Sequence, residues 1–169
     1  MFARVNFSKL TLMDALDLAS LIEVEACQRY NLFAAQLGYR DPSDAASVFR
    51  TMAANEKKHG DQLARRRQTL FGDTPAKVKL DDLFDVEAPY AGSASWNMSA
   101  RKAFEVALAA EKQAFAFYDE ALPSVKQLDV KALFEELRDE EAEHIQMVEA
   151  IIAKLPPEAA IDLEDLDAV

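Results

Sequence analysis

Apolar and small residues recur every three to four positions through four long stretches of the chain, the period of a helix with one buried face. In the first stretch Leu16, Ala19, Ala26, Cys27, Ala34 and Leu37 share a stripe, which predicts a helix from about Thr11 to Leu37. Thr11 is placed to cap it, and Asp14 three residues on favours the positive end of the helix dipole. Gly38 is a natural stop, and Asp41-Pro42-Ser43-Asp44 reads as a turn and a new N-terminus. The second helix is predicted from about Asp44 to Phe71, ending at Gly72. Ser99 caps a third that reaches about Leu122 before Pro123, with Phe104, Ala107, Leu108, Ala114 and Phe115 on its inward face. Asp129 caps a fourth that reaches about Leu155 before Pro156-Pro157.

The breaks between these stretches set the topology. The first and second helices, like the third and fourth, are joined by short loops, so each pair is an antiparallel hairpin. Residues 73–98 are different, with Pro75, Pro89, Gly92 and a run of Ser, Ala and Asn. Within them Val78, Leu80, Leu83, Phe84 and Val86 predict a segment packed along the helices, too long for an ordinary connection. The expected fold is all-α: an antiparallel four-helix bundle with one long crossover between the second and third helices. It forms one domain over residues 1–157, followed by a short acidic tail at 158–169.

Composition agrees and removes several functions. Of the 169 residues, 50% are hydrophobic and only four are glycine, as long helices with one core require. The formal net charge of −11 argues against a nucleic-acid partner, since phosphate binding needs clustered Lys and Arg. The run Arg65-Arg66-Arg67 reads as a solvated helix face. A single cysteine, Cys27, allows neither an intrachain disulfide nor a Cys-x-x-Cys metal site, and reads as a small buried residue. No basic segment followed by an apolar one opens the chain, and no apolar run is long enough to span a bilayer. A cytoplasmic protein with no membrane partner is therefore the default expectation.

The chemistry lies in an internal repeat. The first helix carries Glu23 and, seven residues on, Tyr30; the third carries Glu111 and, seven on, Tyr118. The second carries Glu56-Lys57-Lys58-His59 and the fourth Glu141-Ala142-Glu143-His144. Residues three apart share a helix face, so each Glu-x-x-His pair converges on one point. Residues seven apart lie on nearly the same stripe. Both histidines of the chain follow a glutamate by three. Glu23 and Glu111 sit on small or apolar stripes that face inward, whereas Glu25 shares its side with Gln28 and Arg29 and reads as surface.

Four inward carboxylates are not stable alone, because each is desolvated and all repel. Two divalent cations cancel their charge, and two neutral imidazoles complete the ligand set. Glu and His suit Fe, Mn and Zn alike, with two iron ions the first expectation. The tyrosines have two readings, core packing with a hydroxyl bonded to a carboxylate, or a supporting role beside the metals. Trp96 and the phenylalanines read as packing.

The segments IEVEACQRYNLFA (22–34), ANEKKHGDQL (54–63), AAEKQAFAFY (109–118) and DEEAEHIQMVEA (139–150) resemble the rubrerythrin branch of the ferritin-like di-iron carboxylate superfamily. The resemblance implies Glu23 and Glu111 as terminal ligands, Glu56 and Glu141 as bridges, and His59 and His144 on one metal each. It also implies a homodimer, and the long crossover permits exchange of hairpins between chains. Four departures stand out. Rubrerythrins carry a rubredoxin domain that one cysteine cannot supply. Their further glutamate after the third-helix ligand is Ala114 here, and the haem-binding methionine of bacterioferritin is Lys57. A fifth helix, as in large ferritin cages, is a poor fit to the acidic tail. Three functions are expected of such a centre. The first is an oxidoreductase acting on O2 or hydrogen peroxide with a separate electron donor. The second is an iron-handling protein that oxidises Fe2+ for storage or detoxification. The third is a module that metal merely stabilises.

Overall fold

The computed structural model describes residues 6–37, 44–78, 86, 88, 89 and 98–156. Four helices carry it: α1 (Leu12–Leu37), α2 (Asp44–Phe71), α3 (Ala100–Ala121) and α4 (Leu128–Ile152). Among the described residues there is no strand. The predicted turn at 38–43, most of the apolar crossover residues, Trp96 and the acidic tail lie outside them.

The caps follow local chemistry. Thr11 and Asp14 close a reciprocal box: the Asp14 N–H donates to Thr11 Oγ1 at 3.2 Å, and the Thr11 N–H to Asp14 Oδ2 at 3.3 Å. Ser99 Oγ accepts from the Lys102 N–H at 3.1 Å. Gly72 ends α2 with φ 55°, the left-handed region that glycine adopts without a Cβ clash. Two expectations need correction. Gln127, not Asp129, occupies the cap position of α4, and Asp129 lies in the first turn. There its carboxylate accepts from the Val130 N–H at 2.8 Å and still serves the helix dipole. The fourth helix ends at Ile152, and the chain continues in turns to Leu155.

The core falls into two apolar clusters. One joins the first half of α1 to Leu63, Val86, the end of α3 and the start of α4. The other joins the second half of α1 to the starts of α2 and α3. Hence α1 is antiparallel to α2 and to α3, and parallel to α4. Because α2 and α3 run the same way, the chain between them must travel back along the bundle. Described residues mark that path. Val78 packs on the first cluster and Val86 is buried in it. The Pro89 carbonyl accepts from Arg29 Nη1 at 2.7 Å, and Met98 enters the second cluster.

The inward stripe of α3 is narrower than the sequence suggests. Ala103, Ala107, Ala110, Ala114, Phe117 and Tyr118 are buried, whereas Phe104, Leu108 and Phe115 are half-buried on its flank. Cys27 is likewise half-buried. The Arg65–Arg67 run is not a uniform solvated face. Arg66 pairs with Glu136 on α4, and Arg67 is largely enclosed. Arg67 Nε donates to Asp17 at 2.8 Å and Nη1 to the Gly72 carbonyl at 2.6 Å, while Nη2 reaches the Thr74 carbonyl. Arg101, in the first turn of α3, does the same for the end of α4. It donates to the carbonyls of Ile152, Leu155 and Pro156 at 2.6–2.8 Å.

Candidate metal centre

A layer of carboxylates separates the two apolar clusters. Each helix contributes one: Glu23 from α1, Glu56 from α2, Glu111 from α3 and Glu141 from α4, all at most 3% exposed. They reach the interior because each replaces an apolar residue on a buried stripe. Ile22 and Ala26 flank Glu23, and Ala110 and Ala114 flank Glu111. The repeat places them in two trios, Glu23–Glu56–His59 and Glu111–Glu141–His144. Within each trio the nearest ligand atoms lie within 4.8 Å of one another. An ion held at about 2.0–2.2 Å from each ligand needs donors no more than about 4.4 Å apart, so small rotamer shifts close either trio.

The trios face each other across the bundle. The His59 and His144 rings stack at 4.8 Å with planes 8° apart. His59 Nδ1 stands 3.9 Å from Glu23 and 3.8 Å from Glu56. His144 Nδ1 stands 3.3 Å from Glu111 and 3.5 Å from Glu141, within ionic reach of both. Each imidazole is 19% exposed, so the histidines form the solvent side of the layer.

The electrostatics show how poorly this layer suits its own charges. Burial, and then the neighbouring carboxylates Glu56, Glu141 and Glu111, raise the Glu23 carboxyl well above the usual range. Burial and Glu111 push Glu141 up to about 8, even though His144 draws it the other way. Glu111 and Glu141 push the His144 imidazole up to about 10 against its own desolvation. Glu23 Oε2, both Glu111 oxygens and Glu141 Oε2 are buried without a hydrogen-bond partner. Buried carboxylates converging from four helices, three of them with orphaned oxygens, and two imidazoles beside them fit a pair of divalent cations in charge and in donor type.

All six residues singled out in the sequence as ligands are brought together. The two tyrosines are fully buried, one in each apolar cluster. Tyr30 stacks with Phe49 at 6.0 Å, and Tyr118 meets Phe134 edge-on at 5.3 Å. Because α1 and α3 are antiparallel, the tyrosines lie on opposite sides of the carboxylate layer. One residue escaped the sequence reading. A Cβ at Gly60 would stand 3.3 Å from Glu23 Cβ, so Gly60 lets α1 approach α2 at the layer. Its signal was present: a glycine in mid-helix directly after His59.

Comparison with known proteins agrees with this geometry. No helix among the described residues is long and apolar enough to cross a membrane. Among curated proteins none matches significantly. The chain resembles an uncharacterized conserved protein from Magnetospirillum magnetotacticum MS-1, with 28% identity and a TM-score of 0.66 over 89% of this chain and 99% of that one. It shares its fold with the bacterioferritin of Rhodobacter capsulatus, a structure described with a metal-free dinuclear site and haem iron. Here identity is 22% and the TM-score 0.56, over 88% of this chain and 96% of that one. A hypothetical protein from Pyrococcus furiosus has the same fold at 19% identity and a TM-score of 0.52, over 85% and 89% of the two chains. The sequence profile of the ferritin-like domain matches residues 16–157, all four helices and the whole carboxylate layer, and the chain belongs to that ferritin-like family.

Proposed function

We propose that this protein is a di-iron carboxylate oxidoreductase that reduces O2 or hydrogen peroxide. The observation that carries the reading is the layer of four buried carboxylates, each from a different helix, closed on one side by two imidazoles. Glu23, Glu56 and His59 from one hairpin and Glu111, Glu141 and His144 from the other would hold the two ions. When bound, a pair of ferrous ions would supply the two electrons that, with two protons from solvent, reduce one hydrogen peroxide to two waters, each iron becoming ferric.

The chain's own residues do the rest. The apolar clusters on both sides exclude bulk water and hold the carboxylates rigid. The histidines, as the exposed members, face the side from which small reactants and protons arrive. Ala114 is fully buried where rubrerythrins have a further glutamate, so the six-residue set has no spare carboxylate there for ligand exchange. The one cysteine in these residues cannot form a rubredoxin-type iron site, and the reading takes its reducing equivalents from a separate donor.

Metal analysis and anaerobic ferrous titration, followed by O2 or peroxide addition under the near-ultraviolet spectrum, test this reading. Two irons per chain and a new absorption, both lost in Glu56→Ala, are the expected result. No iron uptake, or uptake with no spectral response to either oxidant, would overturn it. Iron loading far beyond two per chain would instead mark an iron store.

A further inference from the structure

The imidazole side of the layer opens on a cleft of about 80 Å3 between α2 and α4. His59 lines its inner end, and Leu63 and Leu137 form apolar walls. Its polar lining is Gln62 and Arg66 from α2, with Glu136 and Glu140 from α4. Helix geometry puts these in order. Gln62 is one turn and Arg66 two turns beyond His59, while Glu140 is one turn and Glu136 two turns before His144. Arg66 Nη1 meets Glu136 Oε2 at 2.9 Å, and this pair ties the two helices together at the outer end.

Among the described residues the rest of the layer is covered. The carboxylates are at most 3% exposed, and an apolar cluster lies against each side. We propose that this cleft is the route by which a divalent cation reaches the metal centre, and that the Arg66–Glu136 ion pair is its gate. The inference rests on the metal-centre reading above. Two carboxylates and one guanidinium leave the cleft net negative, which favours a cation over an anion. The gating side chains are 40% and 51% exposed, and exposed ion pairs contribute little, so thermal motion opens them readily. An incoming cation competes with Arg66 for Glu136, passes to Glu140 one turn from His144, and is then taken by the buried ligands.

The test is stopped-flow uptake of Co2+ by the metal-free full chain, followed by cobalt's visible absorption at low and high salt. The unmutated chain is expected to take up two ions. Glu136→Gln with Glu140→Gln should slow uptake roughly threefold or more at low ionic strength, a difference that salt erodes. Arg66→Gln should accelerate it. Gln62→Trp, which fills the cleft from an exposed position, should slow uptake at every ionic strength. All of these should still bind two ions at the endpoint. The tryptophan variant decides the route and the charge variants decide the gate: unaltered rates with a full endpoint overturn the corresponding claim. No cobalt uptake by the unmutated chain would remove the centre itself, and the route with it.

Discussion

Glu23 is a carboxylate that the metal-free fold would rather keep protonated. Burial and three neighbouring carboxylates raise it well above its usual range, and no donor meets its Oε2. Gln has the shape of the protonated acid and no charge to desolvate. Glu23→Gln is therefore expected to stabilise the metal-free protein by about 1–3 kcal/mol at pH 8 while lowering metal affinity. Calorimetric melting in chelator and metal titration check the two halves, and a lower melting temperature without metal would sink the idea. Gly60 separates stability from function in another way. Ala is the better helix former by about 0.5–1 kcal/mol, yet its Cβ would press on Glu23 Cβ from 3.3 Å. The two effects oppose each other in stability. In metal binding only the displacement of Glu23 counts, so Gly60→Ala should lose affinity on the order of tenfold. Equal affinity in the two proteins would show that Gly60 does not position the ligand.

The elements owe their limits to local chemistry and their docking to distant chemistry. Thr11, Ser99 and Gly72 were legible as caps because capping involves neighbours in sequence. Arg67 was not. Its carboxylate partner, Asp17, lies 50 residues earlier on α1, and no local pattern distinguishes Arg67 from Arg65. The same guanidinium closes the carbonyl end of α2, so one side chain ties that helix end to α1. Both partners are close to nine-tenths buried, and charge-assisted hydrogen bonds of this kind contribute about 1.5–3 kcal/mol. Arg67→Met, which keeps most of the volume, should lower the unfolding free energy by that amount, read as a lower urea midpoint with an unchanged slope. An unchanged midpoint would mean that water replaces the guanidinium at no cost. Phe104, Leu108 and Phe115 show the opposite failure. Helical spacing gives a stripe its direction but not its width, and these three lie at the edge of the stripe where α3 turns away from its neighbours.

Across the whole molecule, the repeat made the site legible before any fold was known. Two hairpins with matching Glu, Tyr and Glu-x-x-His positions bring their carboxylates and imidazoles to one layer, with α1 and α3 antiparallel as the two clusters show. A bundle cut through by such a layer has a stability that depends on what neutralises it. In the metal-free protein the folded state holds the Glu141 proton up to about 8, against an ordinary 4.5. It holds the His144 proton up to about 10, against 6.5. Both groups bind protons more tightly folded than unfolded. Their contribution is therefore complete at low pH; that of Glu141 is lost as pH rises from about 4.5 to 8, and that of His144 from about 6.5 to 10. Metal-free protein should melt at progressively lower temperature from pH 5 to pH 9. Cations replace these protons, so the loaded protein should show little of that decline, and the stabilisation by metal should widen with pH. Melting curves across this range, with chelator and with two equivalents of metal, measure both slopes. A metal-free melting temperature that is flat or rises towards pH 9 would mean that the layer relaxes, by water entering or by helices parting, before its charges are felt.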